Sequence, residues 1–311
     1  MGTGEATIGL PQLQGRRLVT DGGMETDLIF HHGIDLPHFA AFPLVEREQG
    51  RALLERYYDE YAAIARAAGV GLMLESPTWR ANPGWGARLG YSEEALAAVN
   101  RAAIAMLLQL RDRYAETISE VVISGLVGPR GDGYRASEGV DPDEASAYHR
   151  LQLEAFAHAG ADIATALTLA EVGEAIGIVR AAREVGLPVA ISFTVETDGK
   201  LPGGIPLGEA IAEVDRTERP EYFLVNCAHP THIARGLADA GTWQERILGV
   251  RANASTKSHA ELDEVDELDE GDPRTLAADH SLLGDLLPNL VIVGGCCGTD
   301  ARHVSSLWSV P

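Results

Sequence analysis

The side chains best suited to chemistry in this chain are its three cysteines, Cys227, Cys296 and Cys297. Cys227 ends an apolar run that begins at Phe223, and the adjacent pair follows the apolar and glycine-rich run 291–295. Three thiolates around Zn²⁺ leave the fourth position of a tetrahedral site open for a substrate. If the fold brings the cysteines together, their sequence context predicts an open zinc site.

The glycines around the cysteine pair solve a geometric problem. Adjacent side chains on a regular strand point to opposite faces of the sheet. Gly294, Gly295 and Gly298 allow a backbone turn that presents both sulfurs on the same side. Because free cysteines are often small buried hydrophobes, burial without a metal stays open as the alternative, most of all for Cys227.

The ligand set also indicates which reaction the site favours. Three thiolates give Zn²⁺ a net single negative charge, so an entering thiol is deprotonated while its sulfur keeps electron density. Zinc that activates water more often has neutral histidine ligands, so hydrolysis is less natural here. A hydrolase that uses Cys227 as nucleophile with His229 or His232 is a distant alternative. These histidines are more typical of a surface or of the cap of the helix expected near Thr231.

The composition excludes several classes of partner. The 311 residues carry 46 acidic against 25 basic side chains, a net charge of −21 that repels nucleic acid and anionic membranes. No apolar stretch approaches the roughly 18 residues of a membrane span, and none near Met1 is typical of a signal peptide. We therefore expect a cytoplasmic protein with small-molecule substrates and reduced cysteines, and leave a homo-oligomer open.

Short apolar runs alternate along the chain with longer segments of helical periodicity. The predicted strands are Leu18–Thr20, Val70–Leu74, Val121–Ile123, Asp162–Thr165, Pro188–Ile191, Tyr222–Val225, Ile247–Val250 and Leu290–Val293. Strands joined by helical crossovers in this number predict an α/β fold, a single-domain (β/α)8 TIM barrel over residues 16–311 that follows a flexible N-terminal tail over 1–15. A doubly wound open sheet is the alternative.

Parallel strands joined in this way end at one face, so the polar residues that follow them should meet at one mouth of the barrel. That set comprises Asp21, Glu75, Ser76, Ser124, Ser192, Asn226, Cys227, Asn253 and Cys296. Between the last two strands, the segment 261–271 is dominated by carboxylates that repel one another. We predict a solvated loop or surface helix there rather than a metal site.

Six stretches in a fixed order carry a resemblance to a known family. They are Thr20–Thr26 (TDGGMET), Ser124–Pro129 (SGLVGP), Ile191–Thr194 (ISFT), Val225–Cys227 (VNC), Asn253–Ser255 (NAS) and Gly294–Thr299 (GGCCGT). With them the chain resembles the homocysteine S-methyltransferase family of zinc-dependent (β/α)8 barrels, from about Arg17 to Leu307. The first stretch alone is a weak signal, but the ordered set is highly specific.

The resemblance implies a reaction and a set of site residues. Cys227, Cys296 and Cys297 would bind Zn²⁺, and the zinc-bound thiolate of homocysteine would accept a methyl group to give methionine, a step of methionine biosynthesis. No catalytic side chain is implied beyond that activated thiolate. The donor would be a small cation of the S-methylmethionine, S-adenosylmethionine or betaine type. The predicted substrate-binding residues are Asp21, Gly22, Gly23 and Ser76, the last at the substrate carboxylate, with Glu25 and Asn253 beside them.

One position departs from the family. After the fourth strand such proteins typically carry Glu-Thr, whose Glu is expected to bind the substrate ammonium, whereas this chain has Leu167 before Thr168. An unpaired ammonium in a partly buried site costs several kcal/mol. Either Glu25, Glu75 or Glu171 substitutes, or the acceptor is a different thiol or selenol. A non-catalytic zinc-binding barrel with a regulatory role is the alternative from another class.

The expected methyl donors are cations, and aromatic faces attract cations. Trp79, Trp85, Tyr91 and Tyr134 fall in loops expected at the mouth of the barrel. They are candidates for the donor site, although each is equally suited to anchoring a loop.

Overall fold

The computed structural model describes residues 9–134, 139–239, 241–263 and 267–310. Its strands are β1 Leu18–Val19, β2 Gly71–Glu75, β3 Val121–Val127, β4 Ile163–Leu169, β5 Val189–Phe193, β6 Tyr222–Asn226, β7 Ile247–Ala252 and β8 Ile292–Gly295. All neighbouring strands are parallel and follow chain order, and β8 pairs with β1 to close the ring. The described residues therefore form a closed eight-stranded parallel barrel.

Helices connect the strands and cover the outside of the barrel. They are α1 Met24–Phe30, α2 Glu48–Ala68, α3 Pro83–Arg88, α4 Glu93–Tyr114, α5 Pro142–Ala159, α6 Val172–Val185, α7 Leu207–Thr217, α8 Pro230–Gly236, α9 His259–Asp263, α10 Pro273–Ser281 and α11 Ala301–Leu307. The caps are local sequence signals: Asp141 accepts from the backbone N–H of Asp143 and Glu144 at the start of α5, and Gly160 ends it with φ 87°. Within the described ranges, no helix has the length and apolar composition that crossing a membrane requires.

The predicted (β/α)8 barrel is confirmed, and the open-sheet alternative is wrong. Leu18 pairs with Gly71 on one side and with Ile292 on the other, so the first strand has no free edge. All eight predicted runs overlap observed strands, but β3 ends at Val127 and β4 at Leu169, beyond the predicted ends. The polar residues in these extensions have partners inside the barrel: Ser124 Oγ lies 2.8 Å from Thr165 Oγ1, and Thr168 Oγ1 accepts from Asn226 Nδ2 at 2.8 Å.

The apolar core has two parts. The larger part lies between the barrel and its helices, and a smaller cluster fills the barrel near the N-terminal ends of the strands. This smaller cluster comprises Leu18, Met73, Val122, Ile163, Ala190, Tyr222, Leu224, Leu248 and Ile292. Since the interior is packed at that end, space for a ligand remains at the other end.

The segment before β1 covers the packed end of the barrel. Pro11–Gln14 form a 3₁₀ helix, Leu10 packs against the barrel cluster, and buried Gln12 donates from Nε2 to the Tyr222 hydroxyl at 3.2 Å. These residues therefore differ from the flexible tail predicted over 1–15, because their apolar side chains shield the interior from water. Residues 1–8 of that predicted tail lie outside the described residues.

Candidate metal centre and substrate cavity

The three cysteine sulfurs meet at the C-terminal mouth of the barrel. Each Sγ of Cys227, Cys296 and Cys297 lies within 4.8 Å of the other two, and the Cys227 and Cys297 sulfurs are 3.5 Å apart. All three are free thiols; Cys227 is buried and the other two are partly exposed. Residues separated by about seventy positions in the chain are thus brought to one point by β6 and β8.

This arrangement fits a zinc ion. Zn–S bonds of about 2.3 Å in a tetrahedron place the sulfurs about 3.8 Å apart, close to the observed spacing. Three protein sulfurs leave one coordination position, and all three residues line a cavity that opens to the solvent. The donor set consists of three soft sulfurs, which is typical of zinc rather than of calcium or magnesium.

Two backbone features bring the sulfurs together. Cys227 has φ 56°, a left-handed conformation that costs a non-glycine residue about 1–3 kcal/mol. Its N–H donates to Arg251 O at 3.1 Å, and its carbonyl accepts from His259 Nε2 at 2.7 Å. After Cys297 the chain turns at Gly298, with φ 76°, as the glycines of this segment predict.

Polar side chains contact the sulfurs from outside. Asn226 Nδ2 lies 3.7 Å from Cys296 Sγ, and the Tyr134 hydroxyl lies 3.1 Å from Cys227 Sγ. The pKa of Cys296 is well below its usual range because the Cys227 and Cys297 thiols hydrogen-bond to its thiolate, with further help from the charge of Arg251. The sequence did not single out these contacts, which resemble the outer-shell partners that orient metal ligands.

A buried charge cluster lies beside the sulfurs. Arg251, on β7, donates from Nη2 to Asp21 Oδ1 at 2.6 Å and also forms an ion pair with Glu75 at the end of β2. Tyr57 on α2 donates to Asp21 Oδ2 at 3.1 Å. Burial raises the pKa of Asp21, and Arg251 opposes that rise. Sequence reasoning missed Arg251, whose signal was a lone charged residue inside an otherwise apolar strand.

The cavity has a volume of about 600 Å³ and is open to solvent on one side. All the predicted substrate-binding residues line it: Asp21, Gly22, Gly23, Glu25, Ser76 and Asn253. Ser124, Ser192 and Asn226, which were also expected at the mouth, are buried inside the barrel wall below it. Their positions follow from the longer β3 and from side-chain bonding, since Ser192 Oγ donates to Asn226 Oδ1 at 2.7 Å.

Ser76 contacts its neighbours through its hydroxyl. Ser76 Oγ accepts from the backbone N–H of Leu126 at 2.9 Å and lies 2.6 Å from Thr78 Oγ1. Thr78 in turn donates to the carbonyl of Leu126 at 2.8 Å, so the hydroxyl hydrogen of Ser76 points at Thr78. The contact between Ser76 and a substrate carboxylate therefore stays a prediction that requires this small network to rearrange.

The three candidate replacements for the missing ammonium-binding Glu differ in their surroundings. Leu167 lines the cavity and is 4% exposed, so that wall is apolar. Glu75 is committed to Arg251, and Glu171 is not among the cavity-lining residues. Glu25 lines the cavity, has no ion pair with another described residue, and has a pKa raised to about 7 by burial and by the nearby Asp21 and Cys296 charges.

The aromatic candidates separate into two groups. Trp79, Trp85 and Tyr134 line the cavity, whereas Tyr91 packs edge-on against Phe42 outside it. The Arg80 guanidinium lies over both tryptophan rings, at 4.0 Å from the Trp79 centroid and 3.9 Å from the Trp85 centroid. Those ring faces are therefore already occupied by a cation.

The two histidines near Cys227 do not line the cavity. His229 caps α8 by accepting from the backbone N–H of Thr231 at 3.3 Å, which is the structural role that the sequence favours. His232 is a buried residue of the same helix, and burial lowers its pKa. Neither histidine is positioned as the partner of a cysteine nucleophile in the cavity.

The acidic segment contributes to the mouth of the cavity. Its helical part is α9, residues 264–266 lie outside the described residues, and Glu267, Leu268 and Asp269 line the cavity. Asp269 accepts from Ser255 Oγ at 2.8 Å, and Glu270 lies 2.6 Å from His31 Nε2. The described end of this segment is thus bonded to the barrel rather than freely solvated.

Comparisons with known proteins give the family. The model of the family described as homocysteine S-methyltransferase matches residues 18–310. Homocysteine S-methyltransferase 1 of Arabidopsis thaliana is 27% identical over 234 residues, covering 69% of each chain. Homocysteine S-methyltransferase YbgG of Bacillus subtilis (strain 168) is 26% identical over 231 residues, covering 70% of each chain.

A solved structure confirms the fold independently. The metallated form of the homocysteine methyltransferase MmuM from Escherichia coli superposes with a TM-score of 0.72 at 21% identity, covering 94% of this chain and 96% of that one. That structure is of a metallated form. In the chain described here, Cys227, Cys296 and Cys297 are grouped as potential metal ligands. On the match across 18–310, this protein is a methyltransferase that belongs to the homocysteine S-methyltransferase family.

Proposed function

We propose that this enzyme transfers a methyl group from a small cationic donor to the sulfur of homocysteine, giving methionine, with zinc as its cofactor. The observation that carries the proposal is the meeting of three cysteine sulfurs, within 4.8 Å of one another, at the wall of a cavity of about 600 Å³. Cys227, Cys296 and Cys297 would hold the ion. Bound there, Zn²⁺ supplies a positive centre that lowers the pKa of a substrate thiol.

The surrounding residues bind and orient the acceptor. Gly22 and Gly23 bring the backbone close to the sulfurs, since a Cβ at Gly23 would lie 2.5 Å from the carbonyl oxygen of Cys296. Asp21 is held in place by Arg251 and Tyr57, so its carboxylate is fixed before substrate arrives. Asn253 lines the same wall and has a buried Oδ1 with no partner among the described residues, which leaves an acceptor for a substrate N–H.

Glu25 is our candidate for the ammonium partner in place of the Glu that Leu167 replaces. It lines the cavity close enough to Cys296 for the sulfur charge to raise its pKa. An ammonium bound to Glu25 would favour the ionised carboxylate and lower that pKa again. Homocysteine carries such an ammonium, so Glu25 would offset the charge that Leu167 leaves unpaired.

The donor is expected to be a sulfonium or quaternary ammonium compound of the S-methylmethionine, S-adenosylmethionine or betaine type. In-line transfer needs the methyl carbon close to the acceptor sulfur, so donor and acceptor must share the cavity. Its acidic lining, which includes Glu25, Glu267 and Asp269, attracts cations. The three free cysteines favour a reducing compartment, the cytoplasm.

The test is methionine formation by zinc-loaded protein from homocysteine and each of the three donors. Activity with one donor that disappears on chelation and returns with zinc would support the proposal. A failure with all three would contradict it. A zinc-binding barrel without turnover predicts bound metal and no methylated product with any thiol.

A different acceptor is the second candidate, and the apolar side chain of Leu167 in the cavity wall favours it. Competition between homocysteine and thiols or selenols that lack an ammonium would separate the two. If the enzyme prefers thiols or selenols without an ammonium, homocysteine is not its acceptor. The proposed zinc site and methyl transfer would be retained.

A further inference from the structure

Arg80 is an unusual charge in the cavity wall. Its guanidinium is stacked between the rings of Trp79 and Trp85, at 4.0 Å and 3.9 Å from their centroids, and it lines the cavity beside Tyr134. Stacking of this kind holds the planar group in one orientation. The loop between β2 and α3 therefore presents a fixed cation to the substrate space.

Two hydrogen-bond donors at this point have no acceptor in the described part of the chain. Arg80 Nε and Trp85 Nε1 are both buried and unpartnered among the described residues. The only hydrogen bond of the Arg80 side chain within those residues runs from Nη1 to the carbonyl of Gly131, at 3.3 Å. Buried donors are nearly always paired, so two neighbouring orphans indicate a missing acceptor.

Arg80 also has no ion pair with a carboxylate of the described residues. The guanidinium of Arg88 lies over the same Trp85 ring, at 4.3 Å from its centroid, and adds a second positive charge there. Burial lowers the pKa of Arg80 to about 10, so it remains charged at neutral pH. The charges of Glu25 and Asp132 are near enough to favour the charged form of Arg80.

The chemistry that fits these groups is a carboxylate. A planar carboxylate accepts two parallel N–H bonds from a guanidinium edge and would form the ion pair that Arg80 lacks among the described residues. The donor on Trp85 adds a third N–H in the same region. Since side chains cover both orphan donors, a ligand must shift Arg80 or Trp85 slightly, which would change the environment of the indole.

We propose that Arg80, together with Trp85, binds the α-carboxylate of the amino-acid substrate in this cavity, in place of Ser76, whose hydroxyl is already bonded to Leu126 and Thr78. The inference rests on the proposed function, because it takes an amino acid of the homocysteine and methionine type as the ligand. Glu25 for the ammonium and Arg80 for the carboxylate would then form a complementary pair, which selects α-amino acids over simple thiols.

Binding of L-methionine, the proposed product, tests this without relying on turnover. Methionine has no free thiol, so its binding to the full-length protein can be followed through tryptophan fluorescence both without metal and with zinc. The titration is repeated with two analogues, decarboxylated methionine and deaminated methionine. We expect wild type to bind L-methionine at least about 10-fold more tightly than the decarboxylated analogue, as charge-assisted hydrogen bonds predict.

The variant Arg80→Gln should remove this preference. It should weaken the binding of L-methionine by about 10- to 100-fold and leave the affinity for the decarboxylated analogue nearly unchanged. Arg80→Lys keeps the charge but not the planar fork, and should recover only part of the loss. Arg88→Gln is the matched control, because Arg88 stacks on the same ring but is exposed and does not line the cavity.

Several results would overturn the inference. For wild type, these are equal affinities for L-methionine and its decarboxylated analogue, or no binding of either ligand. For the variants, they are an equal loss of affinity for both ligands in Arg80→Gln, or the same loss of L-methionine affinity in Arg88→Gln. A cooperative thermal transition of Arg80→Gln, with wild-type circular dichroism, guards against misfolding as the cause.

The methyl-transfer assay separates this inference from the proposed function. Methionine formation by wild type without carboxylate preference would retain the function and reject the role of Arg80. Carboxylate preference without any methionine formation would retain the role of Arg80 and reject homocysteine methylation.

Discussion

Arg251 Nη2 donates to Asp21 Oδ1 at 2.6 Å, and the pair is buried beside the cysteine sulfurs. The same guanidinium pairs with Glu75, and its Nε donates to the carbonyl of Gly295 at 2.9 Å. One side chain on β7 therefore binds groups from β2, from β8 and from the residues after β1. It fixes the wall of the cavity on which the proposed metal centre depends.

Replacing Arg251 with Met should destabilise the protein strongly. The change leaves Asp21 and Glu75 as buried, uncompensated carboxylates, which costs about 3–5 kcal/mol in the free energy of unfolding. Urea denaturation measures this loss, and the loss should shrink at low pH, where the carboxylates become protonated and neutral.

The matched control for Arg251→Met is Arg216→Met, which breaks the exposed pair between Arg216 and Glu213. It should leave the unfolding midpoint unchanged, since surface ion pairs contribute little. Equal effects of the two substitutions would contradict the structural role of Arg251.

Each of Cys227→Ser, Cys296→Ser and Cys297→Ser should lose zinc. A hydroxyl is a poor ligand for this ion compared with a thiolate, so the affinity should fall by more than about 100-fold, beyond the range of outer-shell changes. Metal analysis of the purified variants measures the stoichiometry. Tyr134→Phe, which removes only a hydroxyl 3.1 Å from Cys227 Sγ, should still bind one zinc. Full zinc content in any serine variant would remove that cysteine from the ligand set.

Gly23→Ala should disturb both the fold and the metal centre. The added Cβ would lie 2.5 Å from the backbone oxygen of Cys296, which has little freedom to move. Overpacking of this kind costs about 1–3 kcal/mol and should also weaken zinc binding. Thermal unfolding and zinc titration provide the two readouts.

Gly284→Ala is the control for the glycine substitution, because nothing lies within 4 Å of a Cβ at that position. It should stay within about 0.5 kcal/mol of wild type. A tolerated Gly23→Ala with normal zinc affinity would indicate that the close approach of this backbone is not required.

Binding of L-methionine should strengthen as the pH rises through about 7. The pKa of Glu25 is raised to about 7, so its carboxylate is protonated below that pH and cannot pair with the ammonium. Above it the carboxylate is ionised while the ligand ammonium keeps its proton. Fluorescence titrations between about pH 6 and pH 8 measure this dependence. Glu25→Gln should bind weakly and without that pH dependence, and a wild-type affinity that is flat across the range would exclude Glu25 as the ammonium partner.

The barrel and the sulfur cluster were predictable because their signals are local and repeated. Each strand is an apolar run with a clear end, and the cysteines sit at two of those ends. The same rule failed for Ser124 and Ser192, which a strand interior tolerates because Thr165 and Asn226 satisfy their hydroxyls. From the sequence alone, a serine buried within a barrel strand cannot be distinguished from a serine that follows the end of a strand.

Arg251 and Arg80 were not predictable in the same way. The roles of both depend on partners distant in the chain or on ring stacking that only the folded loops create. Asp21 lies 230 positions from Arg251, and no periodicity connects them. For Arg80 the hint was its place between two tryptophans, Trp79 and Trp85, which the sequence offered only as candidates for the methyl-donor site or as loop anchors.

The strand β1 consists of two residues, Leu18 and Val19, and yet it is the piece through which the cylinder becomes a continuous ring. Two residues supply few backbone hydrogen bonds to β2 and β8. Closure of the barrel at β1 therefore depends heavily on side-chain packing between these strands. Local opening between β1 and β8 would separate the glycine turn after β1 from the cysteines after β8. Opening of the barrel and loss of the proposed zinc ion would then occur together, so zinc release should have the same rate as hydrogen exchange at Val19.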